Sequence, residues 1–147
     1  MTFLFGLILL FAFIIAGLIW FTANMARRVE AALPPRGQFI EIDGQRIHYV
    51  DTGGTKPAIV MIHGLGGNLL HFGYAMADKL ANDYRVILVD RPGAGYSPRP
   101  EGVPATLTAQ AKTVATLIRR LGLKQPLVVG HSLGGALSLA ITLDHPD

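Results

Sequence analysis

Apolar and polar positions divide the chain into an unbroken apolar opening and an alternating remainder. Residues Phe3 to Phe21 are almost entirely Leu, Ile, Phe, Ala and Gly, closing on Trp20-Phe21. About twenty helical residues at a rise of roughly 1.5 Å cover about 30 Å, so this stretch predicts a membrane-crossing helix with an aromatic anchor. The rival is a cleaved signal peptide. Against it, no Lys or Arg precedes the run, the run is long, and Thr22-Ala23-Asn24-Met25-Ala26 is a poor small-x-small site. The expectation is therefore an uncleaved anchor over residues 1–26. Residues 27–37 read as a short helical stub and a linker, in which Leu33-Pro34-Pro35-Arg36-Gly37 gives an extended, stiff spacer.

From residue 38 to 147 the period changes. Phe39-Ile40-Glu41-Ile42-Asp43 and Arg46-Ile47-His48-Tyr49-Val50 alternate on either side of Gly44-Gln45, which predicts a β-hairpin with His48 as an ordinary strand residue. Ala58 to Ile62 and Arg85 to Asp90 are short apolar runs of the kind that form buried parallel strands, and a third leads from Pro126 through Val128-Val129. Between them, Asn68 to Leu80 spaces Leu69, Phe72, Met76 and Leu80 by threes and fours. Thr106 to Leu121 likewise places Leu107, Ala111, Val114, Ile118 and Leu121 on one face before the stop signal Gly122. Strands alternating with helices predict an α/β fold: a parallel sheet covered on both faces, with an antiparallel hairpin ahead of it.

The third strand runs into Gly130-His131-Ser132-Leu133-Gly134-Gly135 and then an Ala- and Leu-rich helical segment. A chain that swings from strand to helix within two residues drives its own backbones together, which leaves no room for side chains at Gly130 and Gly134. Ser132 is then held, strained and exposed, at a helix N-terminus, where free N–H groups and the helix dipole favour developing negative charge. That is an environment for a nucleophile. The first strand ends in His63-Gly64-Leu65-Gly66-Gly67-Asn68. A phosphate loop would need Gly-Lys-Ser/Thr, or Gly-x-Gly-x-x-Gly opening a helix, and neither is present. The remaining chemical reading is an oxyanion hole, with one backbone N–H from Leu65 and the other from Leu133. His63, Gly64 and Gly66 are the expected substrate-contacting residues of that loop. The second strand delivers Arg91-Pro92-Gly93-Ala94-Gly95-Tyr96-Ser97-Pro98 to the same edge, with Ser97 structural because nothing beside it would activate it.

Composition narrows the chemistry. The first 26 residues hold no Asp, Glu, Lys or Arg, so all 13 basic and 10 acidic side chains lie beyond them. The net charge of +3 is spread rather than clustered, which argues against a nucleic-acid partner. With no cysteine there is no disulfide framework, thiolate nucleophile or Cys-based metal site, and no metal or cofactor is expected. The expected partners are a small-molecule acyl substrate and, through the first helix, membrane lipid. Arg27 and Arg28 just after the apolar run place the following domain in the cytoplasm by the positive-inside rule; an exported domain stays open.

His63-Gly64-Leu65-Gly66-Gly67, Asp90-Arg91-Pro92-Gly93-Ala94-Gly95-Tyr96-Ser97 and Gly130-His131-Ser132-Leu133-Gly134-Gly135, in this order, resemble the N-terminal half of an α/β-hydrolase of the alpha/beta-fold-1 type, from about Gly37 to Asp147. The resemblance implies hydrolysis of an ester, amide or related bond through an acyl-enzyme on Ser132, with the Leu65 and Leu133 amides holding the oxyanion. Serine at this position speaks against the haloalkane dehalogenase and epoxide hydrolase branches, which use a carboxylate there; carbon–carbon hydrolases and perhydrolases share the serine. The family's acid and histidine follow the serine in the chain. Here Asp144, His145 and Asp147 fall at the far end of the helix that Ser132 begins, about 18 Å away at roughly 1.5 Å per residue. His131 points away as a neighbour at a tight turn, and His63 fixes its loop. The expectation is a partial α/β-hydrolase fold that carries nucleophile and oxyanion hole without base or acid, inactive alone. The alternative is a non-catalytic, membrane-anchored module of the same fold.

Overall fold

The computed structural model describes residues 2–73 and 76–146, and the chain separates into two compact units between Pro35 and Arg36. The first contains one helix, α1 (Thr2–Ala32), in which the stub expected after Ala26 continues the apolar helix without a break and ends ahead of Pro34. Within its span Phe3–Ala32 the most apolar 18 residues have a mean hydropathy of 2.8, so the helix is long and apolar enough to cross a membrane, a property that N-terminal signal sequences share.

The second unit is a mixed five-stranded sheet. Strands β1 (Gln38–Ile42) and β2 (Gln45–Asp51) form the antiparallel hairpin. Its turn is Asp43-Gly44 rather than Gly44-Gln45, with φ of 49° and 74°, and Gln45 joins the ladder opposite Ile42. Two consecutive residues at positive φ match the right-handed twist of the strands, and an Asp-Gly pair tolerates them best. Strand β2 pairs antiparallel with β4 (Arg85–Val89), and β4 and β5 (Leu127–Gly130) flank β3 (Ala58–Ile62) in parallel, giving the order β1-β2-β4-β3-β5. Every residue of β3 is buried, as its apolar run requires.

Helices cover both faces. Helix α4 (Leu107–Arg120) and helix α5 (Leu133–Asp144) pack over Ile42, Ile47, Val60, Ile62, Ile87 and Val89. Thr106 caps α4 by accepting from the Ala109 amide, and Gly122 at φ 66° ends it, while Leu107, expected on the core face, is exposed at the first turn. The opposite face is lined by Ile59, Met61, Val86 and Leu88 against Leu69, Phe72 and Ala77. Within the expected helix from Asn68 to Leu80, α2 (Leu70–Gly73) and α3 (Met76–Leu80) are helical, and positions 74 and 75 lie outside the described residues. The Leu69 N–H, just ahead of α2, donates to the Asp90 carboxylate at 2.7 Å.

Candidate active site

The parallel strands β3, β4 and β5 all end at one edge, and the loops that leave them there make the site. Ser132 caps α5 with φ 53° and ψ −119°, a conformation costly for a residue with a β-carbon, and its side chain is exposed. The strain is imposed by close backbone approach on both sides. A β-carbon on Gly130 would collide with the Gly134 carbonyl, and one on Gly134 with the Ile62 carbonyl. The His131 N–H donates to Ile62 O at 3.1 Å, tying the bend to the end of β3. Among the described residues nothing hydrogen-bonds to the Ser132 hydroxyl.

The loop after β3 reaches the same spot. A β-carbon on Gly64 would lie 3.1 Å from the Ser132 Cβ and 3.0 Å from the His131 ring. Leu65 is 82% exposed, and it shares with Leu133 a cavity of about 470 Å³ that Gly66, Arg91, Arg99 and Gln110 also line. The amides of Leu65 and Leu133 donate to no group among the described residues. Two residues with free amides, one of them next in the chain to Ser132, thus line one cavity.

His63, grouped with the substrate-contacting residues in the sequence, is corrected to an internal role: its side chain is 0% exposed. The Arg91 backbone N–H donates to His63 Nε2 at 3.2 Å, so Nε2 is unprotonated and Nδ1 carries the proton to the Gly64 carbonyl at 2.8 Å. Burial holds the His63 pKa below its usual range, in keeping with a neutral ring. Gly64 is buried beneath Ser132, and Gly66 turns at φ 69° on the cavity wall. His131 stacks its exposed ring on His71, centroids 4.9 Å apart. Asp144 and His145 lie at the opposite end of α5 from Ser132, and Asp147 lies outside the described residues.

Two residues of the Asp90-to-Ser97 motif carry the site's architecture through contacts that the motif itself does not specify. Asp90, buried, receives the Leu69 N–H at 2.7 Å, the Tyr96 N–H at 2.9 Å and His48 Nδ1 at 2.8 Å, while the other ring nitrogen of His48 donates to the Arg36 carbonyl at 2.7 Å. Gly95 is required there because a β-carbon would enter the Asp90 carboxylate. Ser97, buried as well, donates to Asp90 O and accepts from the His48 N–H, which gives it the structural role expected. Arg91 is buried too, its guanidinium spread over His63 O, Gly64 O and Gln110 Oε1, and burial lowers its pKa. The one local hint was Gln110, a polar residue on the Leu107–Val114 stripe of α4.

The arrangement matches known proteins. Residues 57–147 match the family model described as alpha/beta hydrolase fold. The chain is 38% identical over 110 residues to the dihydrolipoyllysine-residue acetyltransferase component of the acetoin cleaving system of Cupriavidus necator, covering 74% of this chain and 29% of that protein. It is also 38% identical over 99 residues to a fluoroacetate dehalogenase of a Burkholderia species, covering 65% of this chain and 32% of that one. Among solved structures, an esterase from Exiguobacterium antarcticum superposes with a TM-score of 0.67 at 33% identity, over 75% of this chain and 41% of the esterase. The chain spans about a third of the length of these curated relatives. By the family-model match over more than half of its length, the chain belongs to the alpha/beta hydrolase fold family.

Proposed function

We propose that the whole protein is a membrane-anchored serine hydrolase that cleaves an ester, amide or related acyl bond through an acyl-enzyme on Ser132. The observation that carries this reading is the exposed, strained Ser132 together with Leu65 and Leu133, whose amides have no partner among the described residues and which line one cavity. Ser132 Oγ attacks the acyl carbon, its proton passes to a base, and the carbonyl oxygen becomes an oxyanion that accepts from both amides. Collapse of the tetrahedral adduct expels the alcohol or amine, which takes that proton. Water then repeats the sequence and releases the acid. No described side chain is hydrogen-bonded to Ser132 Oγ, so base and acid are assigned to sequence outside these 147 residues. On its own the 147-residue chain is expected not to turn over. Helix α1 is assigned as the single-pass anchor on its length and composition.

A second reading, a non-catalytic module whose loops bind without reacting, is favoured by that same lack of a base beside Ser132. A fluorophosphonate probe applied to the whole protein in membranes separates the two. Labelling that disappears in Ser132→Ala supports the hydrolase; folded protein that takes no label supports the module.

A further inference from the structure

The loop after β3 is gripped from the inside by one side chain with no carboxylate partner. Arg91 donates from Nε to His63 O at 2.9 Å and from Nη2 to Gly64 O at 3.0 Å, and Gln110 Oε1 steadies Nη1 at 3.0 Å. His63 Nδ1 donates to the same Gly64 oxygen at 2.8 Å. A trans peptide is planar, with its C=O and the following N–H pointing in opposite directions. Two buried donors that hold the Gly64 carbonyl inward therefore turn the Leu65 N–H the opposite way, on a loop whose Gly64 abuts Ser132.

We infer that Arg91 is a positioning residue for the oxyanion amide of Leu65: it clamps the Gly64–Leu65 peptide so that the N–H faces the reacting carbonyl. The inference rests on the serine-hydrolase reading and assigns a residue which that reading leaves out. Two physical effects combine. The planar fork holds two successive carbonyls at once, which a lysine ammonium does not match. A cationic donor on the Gly64 carbonyl also polarises the peptide and strengthens its N–H as a donor, through hydrogen-bond cooperativity. Among the described residues no acid pairs with Arg91, so its field is not cancelled at source.

The test uses the whole protein in membranes and the rate at which a fluorophosphonate labels residue 132. Wild type labels and Ser132→Ala does not, which secures the underlying reading; a wild type that takes no label removes that reading and this role with it. Arg91→Gln is expected to label at least about tenfold more slowly, and Arg91→Lys to fall between, with thermal midpoints that show both remain folded. Leu65→Pro deletes the N–H being positioned and breaks no bond seen in the structure. In that background Arg91→Gln is expected to slow labelling no further, whereas a general structural effect would multiply with it. If Arg91→Gln does not fold, Arg91→Lys carries the same comparison. Folded Arg91 variants that label at the wild-type rate, or effects that multiply with Leu65→Pro, overturn the inference.

Discussion

Gly134, in the first turn of α5, lies so close to Ile62, the last residue of β3, that a β-carbon on the glycine would occupy the space of the Ile62 carbonyl oxygen. This contact locks the bend at Ser132 to the centre of the sheet. Both partners are backbone, so neither can rotate away. Gly134→Ala is expected to destabilise the folded unit by at least about 3 kcal/mol, at the upper end of overpacking costs. Urea unfolding of the chain in detergent reads this directly. An unchanged midpoint would show that the bend has slack.

Asp90 joins three segments through His48, Leu69 and Tyr96. Both carboxylate oxygens accept from buried N–H groups, so the amide nitrogen of Asp90→Asn would face one of those donors, and the change is expected to cost about 3 kcal/mol. The conservative Tyr96→Phe keeps the backbone donor and is the milder comparison. Hydrogen exchange at the Leu69 and Tyr96 amides should speed up in Asp90→Asn.

Acid is expected to destabilise the second unit in two stages. His63 is buried neutral with its pKa held down mainly by burial, so the unfolded chain binds its proton first. The stability this contributes is complete above the ordinary value of 6.5 and declines as pH falls below it toward the folded-state value. Asp51 follows. Burial alone would raise its pKa, but the Arg85 fork at 3.0 and 2.6 Å, the Gly53 N–H and the Arg85 charge outweigh this and lower it. Its share is present above the ordinary value of 3.8 and is lost as pH falls through the lowered one. His63→Asn should flatten the first stage and leave the second, as read from urea midpoints against pH.

Strand β5 pairs only with β3 among the described residues, and its free side carries Leu127 at 54% and Val129 at 39% exposure. An apolar strand with an unpaired ladder is a template for other strands. The 147-residue chain is expected to self-associate through it, and Val129→Lys to shift sedimentation toward smaller species. Equal association of the two would place the contact elsewhere.

What the sequence made legible follows from the range of the interactions. The three parallel strands announce themselves because full burial demands unbroken apolar runs such as Ala58 to Ile62. The bend at Ser132 is legible because Gly130 and Gly134 mark steric contacts only a few residues apart. The turn at Asp43-Gly44 was displaced by one residue, since alternation alone does not say which pair bears positive φ. The Asp90 and Arg91 networks were hidden because, Tyr96 and Ser97 apart, their partners lie 19 to 42 residues away and no local period encodes them.

The most direct measurement is the structure of the fluorophosphonate adduct of the whole protein. The account predicts phosphorus bonded to Ser132 Oγ, with the phosphoryl oxygen about 2.7–3.1 Å from the amide nitrogens of both Leu65 and Leu133. An adduct on another residue, or a phosphoryl oxygen turned away from both amides, would contradict it.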